Sequence, residues 1–267
     1  MFLKKNNNSF QKKSFNKKIL LSIFLFLLQA FYFSNASDLK LAVASNIIRP
    51  IKKIVSIFEK KTEQNVIIIS GSTGKLFAQI SNGAPYDIFL AADEKTPKIL
   101  IQKGYGLKSS EFTYAIGRLA LWSKEKNLIK NSSNILIQNN FKFLSIANPK
   151  VAPYGNASVQ TLKNLKIYEK LKSKIVMGEN ISQAFQFISS GNATLGFVAL
   201  SQIFEGEIIK NGSAWVVPKE MHSEIKQNAI LLKKAENSKK AQDFLSFLKS
   251  KDSTKIFEFY GYKYNLK

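Results

Sequence analysis

The chain has 267 residues and a net charge of +22, from 40 lysines and arginines against 18 aspartates and glutamates. The lysines are spread along the chain and form no basic stripe interleaved with aromatic residues of the kind that nucleic-acid-binding proteins show, so we expect no nucleic-acid partner. Cysteine is absent, which excludes a disulfide framework, a thiolate metal site and a lipid-anchored cysteine.

The N-terminus has the pattern of a secretory signal peptide. Residues 1–18 carry six lysines and no acidic residue, residues 19–33 are predominantly apolar, and Ser34-Asn35-Ala36 supplies the small residues that a signal peptidase recognises. An apolar run of about 15 residues is short for a membrane span, which needs about 20. We therefore predict cleavage after Ala36 and export to the periplasm, and residues 37–267 suffice for one large α/β domain or two small lobes.

Short apolar runs alternate with amphipathic stretches over residues 39–92, a pattern typical of βαβ units and a parallel sheet. Residues 39–44 predict a strand, residues 66–69 a central strand and residues 86–91 a third strand. Between the first two, apolar residues recur at helical spacing, at Ile51, Ile54, Val55 and Phe58.

A second series of the same kind follows in the middle of the chain. Strands are predicted at residues 118–122, 143–147, 174–177 and 195–199. Helices are predicted after the loop at 148–155, carrying Leu162 and Leu165, and after the turn at 178–180. Near the C-terminus, residues 230–232 predict one more strand, and a closing helix is indicated by Ala241, Phe244, Leu245 and Leu248.

The sequence contains no internal repeat and no long linker between these series. Two lobes would therefore be joined by strands that cross near Gly117 and Val198. The predicted division is a signal peptide at 1–36, a first lobe formed by 37–116 together with about 200–267, and a second lobe at 117–199.

Four loops share one design, in which a strand ends, small or polar residues follow and a helix begins. They are Ser45-Asn46, residues 70–73, residues 153–155 and residues 179–181. In open α/β sheets ligands lie beyond the carboxyl ends of the strands, where each helix start offers free N–H groups and the positive end of a dipole. Such loops suit an anion, which neutral hydroxyl, amide and backbone donors would bind because the loops contain no arginine. One such loop is explained by ordinary helix capping, but four together favour a shared site.

Six segments, in order along the chain, carry a family pattern. They are VASN at 43–46, GSTGKLFAQI at 71–80, NGAPYDIFLAAD at 82–93, IANPKVAPYGNAS at 146–158, GENISQAFQFISSGNATLGFVALSQ at 178–202 and FYGY at 259–262. Together they resemble the molybdate-binding component of the bacterial molybdate ABC transporter, the ModA family. The resemblance implies an α/β, two-lobed type II periplasmic-binding-protein fold, in which each lobe is a mostly parallel sheet flanked by helices and the ligand lies in the cleft between the lobes.

The resemblance also implies what the protein binds and with which residues. The ligand would be a tetrahedral oxyanion, molybdate or tungstate, which a monomer delivers to a membrane permease and its ATPase, with no cofactor, no metal site and no catalysis. The anion contacts of the family fall on Ser45, Asn46, Ser72, Thr73, Tyr154 and Ile181. Side-chain and backbone donors are expected at the first four, and mainly backbone N–H groups at the last two. Ala199 stands where some members place a tyrosine hydroxyl, so that contact is not expected here.

Two other functions stay open at this point. A sulfate or phosphate binder would use the same loops, although phosphate needs an acceptor for its remaining proton and Glu179 is the only acid in them. A secreted hydrolase would need His222, the only histidine, as its base, and the chain has no G-x-S-x-G motif to supply a nucleophile. Asp87 and Asp93 lie about 20 Å apart if the strand is extended, too far for a glycosidase pair, whose carboxylates are within about 10 Å.

Overall fold

A computed structural model describes residues 38–263, so the predicted signal peptide and its cleavage site after Ala36 lie outside the described residues. Within residues 38–263, two sheets are flanked by helices and form two lobes. No helix in this part of the chain is both long enough and apolar enough to cross a lipid bilayer.

The first lobe is built on a five-stranded sheet. Its strands are β1 (Leu39–Ala44), β2 (Val66–Gly71), β3 (Ile88–Leu90), β4 (Phe112–Gly117) and β12 (Ile225–Leu231). Their order is β2-β1-β3-β12-β4, with β1 parallel to β2 and β3, and β12 antiparallel to β3 and β4. Only β12 therefore runs against the other four.

The second lobe repeats this arrangement. Its strands are β5 (Leu119–Ser123), β6 (Leu144–Ala147), β7 (Ile175–Gly178), β8 (Leu195–Ala199) and β11 (Ser213–Val216). They lie in the order β11-β5-β8-β6-β7, and only β5 runs against the other four. Two short strands, β9 (Phe204–Glu205) and β10 (Ile208–Ile209), form a separate hairpin. The expectation of two mostly parallel, helix-flanked sheets is confirmed.

Helices cover the sheets. In the first lobe they are α1 (Ile48–Thr62), α2 (Thr73–Ser81), α3 (Lys95–Gln102), α8 (Lys239–Leu248) and α9 (Lys251–Phe259). In the second lobe they are α4 (Asn134–Gln138), α5 (Pro153–Asn164), α6 (Tyr168–Leu171) and α7 (Ile181–Ser189). Helix α1 buries the apolar face that its spacing predicts, in one core with side chains of α8 and α9 and with alternate residues of β1. Side chains of α2 and α3 pack on the opposite face of the same sheet.

Two details differ from the sequence prediction. The β-branched run at 66–69 predicts a central strand, but β2 is an edge strand, and Ile67 is 40% exposed. The return crossing is predicted near Val198, but this residue lies in β8, the central strand of the second sheet. Because β11 still pairs with β5, the second sheet extends beyond the lobe end predicted at residue 199. The chain passes to the second sheet between Gly117 and Leu119 and returns between Val216 and Ile225.

Candidate anion-binding site

A small cavity lies between the lobes, beyond the carboxyl ends of β1, β2, β6 and β7. All six residues that the family resemblance implicates line it, and all six are buried: Ser45, Asn46, Ser72, Thr73, Tyr154 and Ile181. Small side chains and backbone complete the lining, from Ala44, Gly71, Ala92, Ala152, Pro153 and Asn180. The cavity volume is about 10 Å³, whereas pockets for drug-sized ligands measure roughly 300–1,000 Å³. A cavity of this size has room for about one water molecule and excludes all but a very small ligand.

Helix α7 begins at the cavity with one unused N–H group. The N–H groups in the first turn of a helix have no acceptor within that helix. Asn180 precedes α7, and its Oδ1 accepts from the N–H of Ser182 at 3.0 Å and of Gln183 at 3.1 Å. The N–H of Ile181 is the one that this cap leaves, and Ile181 lines the cavity.

Helix α2 in the first lobe leaves a corresponding N–H group. Ser72 precedes the helix, and its Oγ accepts from the N–H of Lys75 at 3.3 Å. The N–H of Gly74 donates at 2.9 Å to the carbonyl of Val151 in the second lobe. Of the three N–H groups in the first turn, that of Thr73 remains for the cavity.

Helix α5 begins without a side-chain cap. Its first residue, Pro153, has no N–H group, so Tyr154 and Gly155 carry the free donors of the first turn. A Cβ on Gly155 would lie 2.2 Å from the carbonyl oxygen of Ala147, at the end of β6. Only glycine therefore allows this helix start to approach the strand so closely.

Three helix starts from two lobes thus converge on one cavity, each with the positive end of its dipole and at least one unused N–H group. No lysine, arginine, histidine, aspartate or glutamate is among the residues that line the cavity. The arrangement can bind a small anion through neutral donors alone.

The hydroxyl groups at the cavity are able to donate, but the Asn46 amide is not. Ser45 Oγ has no hydrogen-bond partner within residues 38–263, and Thr73 Oγ1 accepts from the N–H of Ala92 at 3.0 Å, which leaves its own proton. Both protons of the Asn46 amide are used, because Nδ2 donates to Oε1 of Gln227 at 2.8 Å and to the Tyr262 hydroxyl at 2.9 Å. The side-chain donor expected at Asn46 is therefore unavailable. Only its backbone N–H group remains to donate to a ligand.

Next to the cavity, the hydroxyls of three buried tyrosines, Tyr114, Tyr154 and Tyr262, cluster around the side chains of Gln227 and Asn46. Burial raises the pKa of Tyr262 to about 12 and raises the pKa of Tyr114 and Tyr154 well above the usual value, so all three hydroxyls keep their protons. The sequence gives a signal only for two of these residues, since Tyr154 and Tyr262 belong to family segments. Nothing in the strand patterns indicates Tyr114 or Gln227.

The lobes contact each other around the cavity. Besides the hydrogen bond from Gly74 to Val151, Ser182 Oγ donates to the carbonyl of Ser45 at 3.1 Å. At the rim of the cleft, Lys75 Nζ lies 3.1 Å from Glu179 Oε2, and both side chains are about half exposed. Lys75 does not line the cavity, so its charge pairs with the opposite lobe.

The groups that a hydrolase would need are engaged elsewhere. Asp93 accepts from the N–H of Thr96 at 2.7 Å and from its hydroxyl at 3.0 Å, and burial raises the pKa of this carboxyl despite these bonds. His222 lies in an exposed segment, with Nδ1 2.8 Å from the carbonyl of Ser223. Within residues 38–263, no group of three or more histidine, aspartate or glutamate side chains could hold a metal ion.

Comparison with known proteins places the chain in a family. The family of bacterial extracellular solute-binding proteins matches residues 39–263. The chain belongs to this family. The solute-binding protein is 45% identical to the molybdate-binding protein ModA of Azotobacter vinelandii over 229 residues, which cover 86% of this chain and 91% of that relative.

A second relative and a solved structure are similar to this chain over about the same share of its length. The solute-binding protein is 40% identical to the molybdate-binding protein ModA of Rhodobacter capsulatus, with 85% of this chain and 88% of the relative covered. Its fold is similar to that of the periplasmic molybdate-binding protein of Azotobacter vinelandii, with a TM-score of 0.83 and 38% identity over 86% of this chain and all of that one. The two-lobed architecture of the solute-binding protein is thus that of a periplasmic binding protein.

Proposed function

We propose that the protein captures molybdate outside the cytoplasm and delivers it to an ABC transporter. The observation that carries the proposal is the convergence of three helix starts, each with an unused N–H group, on a cavity of neutral donors. The relatives named as molybdate-binding proteins support the choice of anion. The protein acts by binding and is not an enzyme, so the anion is its cargo and no cofactor is involved.

The anion is proposed to be held by donors from both lobes. The backbone N–H groups of Asn46, Thr73, Tyr154 and Ile181 and the hydroxyls of Ser45, Ser72 and Thr73 are the donors. A hydrogen bond to a charged group contributes about 1.5–3 kcal/mol. Several such bonds exceed the cost of immobilising the ligand and closing the lobes, and they reach micromolar affinity or better.

The chemistry of the lining also bears on which oxyanion is bound. Phosphate keeps a proton near neutral pH and needs an acceptor for it, but the lining contains no carboxylate, and Glu179 pairs with Lys75 at the rim. Sulfate carries no such proton and differs from molybdate mainly in size, so a sulfate-type binder is the remaining alternative. Tungstate is proposed as a second ligand because it is a tetrahedral oxyanion of the same kind.

Molybdate should raise the melting temperature clearly. A ligand at 100 times its dissociation constant adds about 2.7 kcal/mol to the free energy of unfolding. For a chain of this size, 1 kcal/mol corresponds to roughly 2–4 °C, so the expected shift is about 5–11 °C. Differential scanning calorimetry with molybdate, tungstate, sulfate and phosphate at equal ionic strength measures it. A larger shift with sulfate or phosphate than with molybdate would reassign the ligand.

The exported form is proposed to be a monomer that begins at Ser37 and works in the periplasm with a membrane permease and its cytoplasmic ATPase. N-terminal sequencing of the exported protein should read from Ser37, because Ser34 and Ala36 are the small residues before the cut. An uncleaved chain that stays with the membrane would contradict the predicted cleavage. It would not test the proposed anion site.

A further inference from the structure

A buried side chain, Gln227, lies where the chain returns from the second lobe to the first. It is the third residue of β12 and is fully buried. The register of β12 against β4 shifts between Gln227 and Asn228, and a bulge of this kind redirects the side chains beside it. The Gln227 side chain therefore lies beside the return crossing between the lobes.

Gln227 contacts one proposed anion-binding residue from each lobe. Its Oε1 accepts from Nδ2 of Asn46, in the loop after β1, at 2.8 Å. Its Nε2 donates to the hydroxyl of Tyr154, on helix α5 of the second lobe, at 3.2 Å. The Tyr114 hydroxyl lies 2.9 Å from Oε1 and fixes this end further. Gln227 itself does not line the cavity.

The bonds permit only one orientation of the Gln227 amide. A flipped amide would place Nε2 against the donor Nδ2 of Asn46 and leave buried groups without partners, which is costly. The neighbouring Gly117 leaves space for the Tyr154 and Gln227 side chains. A Cβ at this position would lie 2.3 Å from the Tyr154 hydroxyl and 2.5 Å from Nε2 of Gln227. The link between the lobes is thus specific to these side chains and to a glycine at the crossing.

We propose that Gln227 is a positioning residue for oxyanion binding. By holding Asn46 and Tyr154 at fixed places, it sets how the donors of the two lobes face each other when the cavity is closed. It does so without touching the ligand. This inference rests on the proposed function of the cavity.

A double-mutant cycle on molybdate affinity tests the inference. Gln227→Met removes the amide and keeps the length of the side chain, whereas Tyr154→Phe removes the hydroxyl and keeps the backbone N–H. We expect each variant to bind molybdate about tenfold more weakly than the parent. Because both changes break the same bond, the double variant should bind no more weakly than Gln227→Met alone. Isothermal titration calorimetry measures all four dissociation constants.

Thr113→Val is the matched control. It removes the 2.8 Å hydrogen bond from Thr113 Oγ1 to Oδ1 of Asn228, at the same bulge but within the first lobe. It should lower the melting temperature and leave the molybdate affinity unchanged. A parent protein that binds no molybdate would refute the proposed function. If the parent binds molybdate, either of two results would overturn the positioning role. One is that the variants bind as tightly as the parent, and the other is that the losses of affinity in the two single variants add up in the double variant. If Gln227→Met does not fold, parent-like affinity in Tyr154→Phe alone would overturn it.

Discussion

Replacing Ile181 with proline should weaken molybdate binding by about 10- to 150-fold and leave the second lobe folded. The substitution deletes one backbone donor, and a hydrogen bond to a charged group is worth about 1.5–3 kcal/mol. Proline is tolerated in the first turn of a helix, where its missing N–H has no acceptor within the helix. Asn180 already has an extended backbone, with φ −141° and ψ 174°, which is the conformation preferred before proline.

The matched control is Ile181→Val, which keeps the N–H and is close to proline in size. Its free energy of molybdate binding should be weaker than that of the parent by less than about 1.5 kcal/mol, chiefly because of altered packing. Isothermal titration calorimetry gives the affinities, and circular dichroism checks that the helix remains. Equal binding by Ile181→Pro and Ile181→Val would show that the backbone donor at this position does not hold the anion.

Gly74→Ala should weaken molybdate binding while leaving the unliganded protein as stable as the parent or more so. A Cβ on Gly74 would lie 3.0 Å from the Cα of Val151 in the opposite lobe. This contact joins the two lobes, so parting of the lobes would relieve it, and overpacking costs about 1–3 kcal/mol, or roughly 5- to 150-fold in affinity. Within helix α2, alanine is favoured over glycine by about 1 kcal/mol.

Gly155→Ala provides the contrast, because its Cβ would meet the carbonyl of Ala147 within one lobe. That variant should lose stability even without ligand. Calorimetric melting of both variants, with and without molybdate, separates the two effects. A lower melting temperature for unliganded Gly74→Ala would mean that the lobes are closed before the ligand arrives.

The sequence predicts the regular part of this fold well because the core residues of each element are periodic. Strands β1 and β8 have the bounds that their apolar runs predict, and α1 buries the predicted face. Helix α9 is missed because only two of its residues, Ser253 and Phe257, are buried, so few core residues mark it in the sequence. The return crossing is missed because β11, for which no strand is predicted, extends the second sheet beyond residue 199.

The lining of the site is predictable for a different reason. Loops that join strand ends to helix starts can be recognised locally, and the structure brings all six implicated residues to one cavity. What each residue donates depends on distant partners. Asn46 loses its side-chain donors to Gln227 and Tyr262, which lie 181 and 216 positions away in the sequence. No local pattern encodes that bond, so the role of the Asn46 side chain emerges only from the fold.

Because the cavity lining is neutral, anion binding should depend little on pH. Backbone N–H groups and aliphatic hydroxyls neither gain nor lose protons between about pH 5 and pH 9. Tyr154 is the only lining residue with a titratable side chain, and burial raises the pKa of its hydroxyl, which accepts from Gln227. A cleft that relied on histidine or lysine would attract anions more strongly in acid and release them in alkali. Binding of a fully ionised anion through this lining should therefore change little between about pH 5 and pH 9.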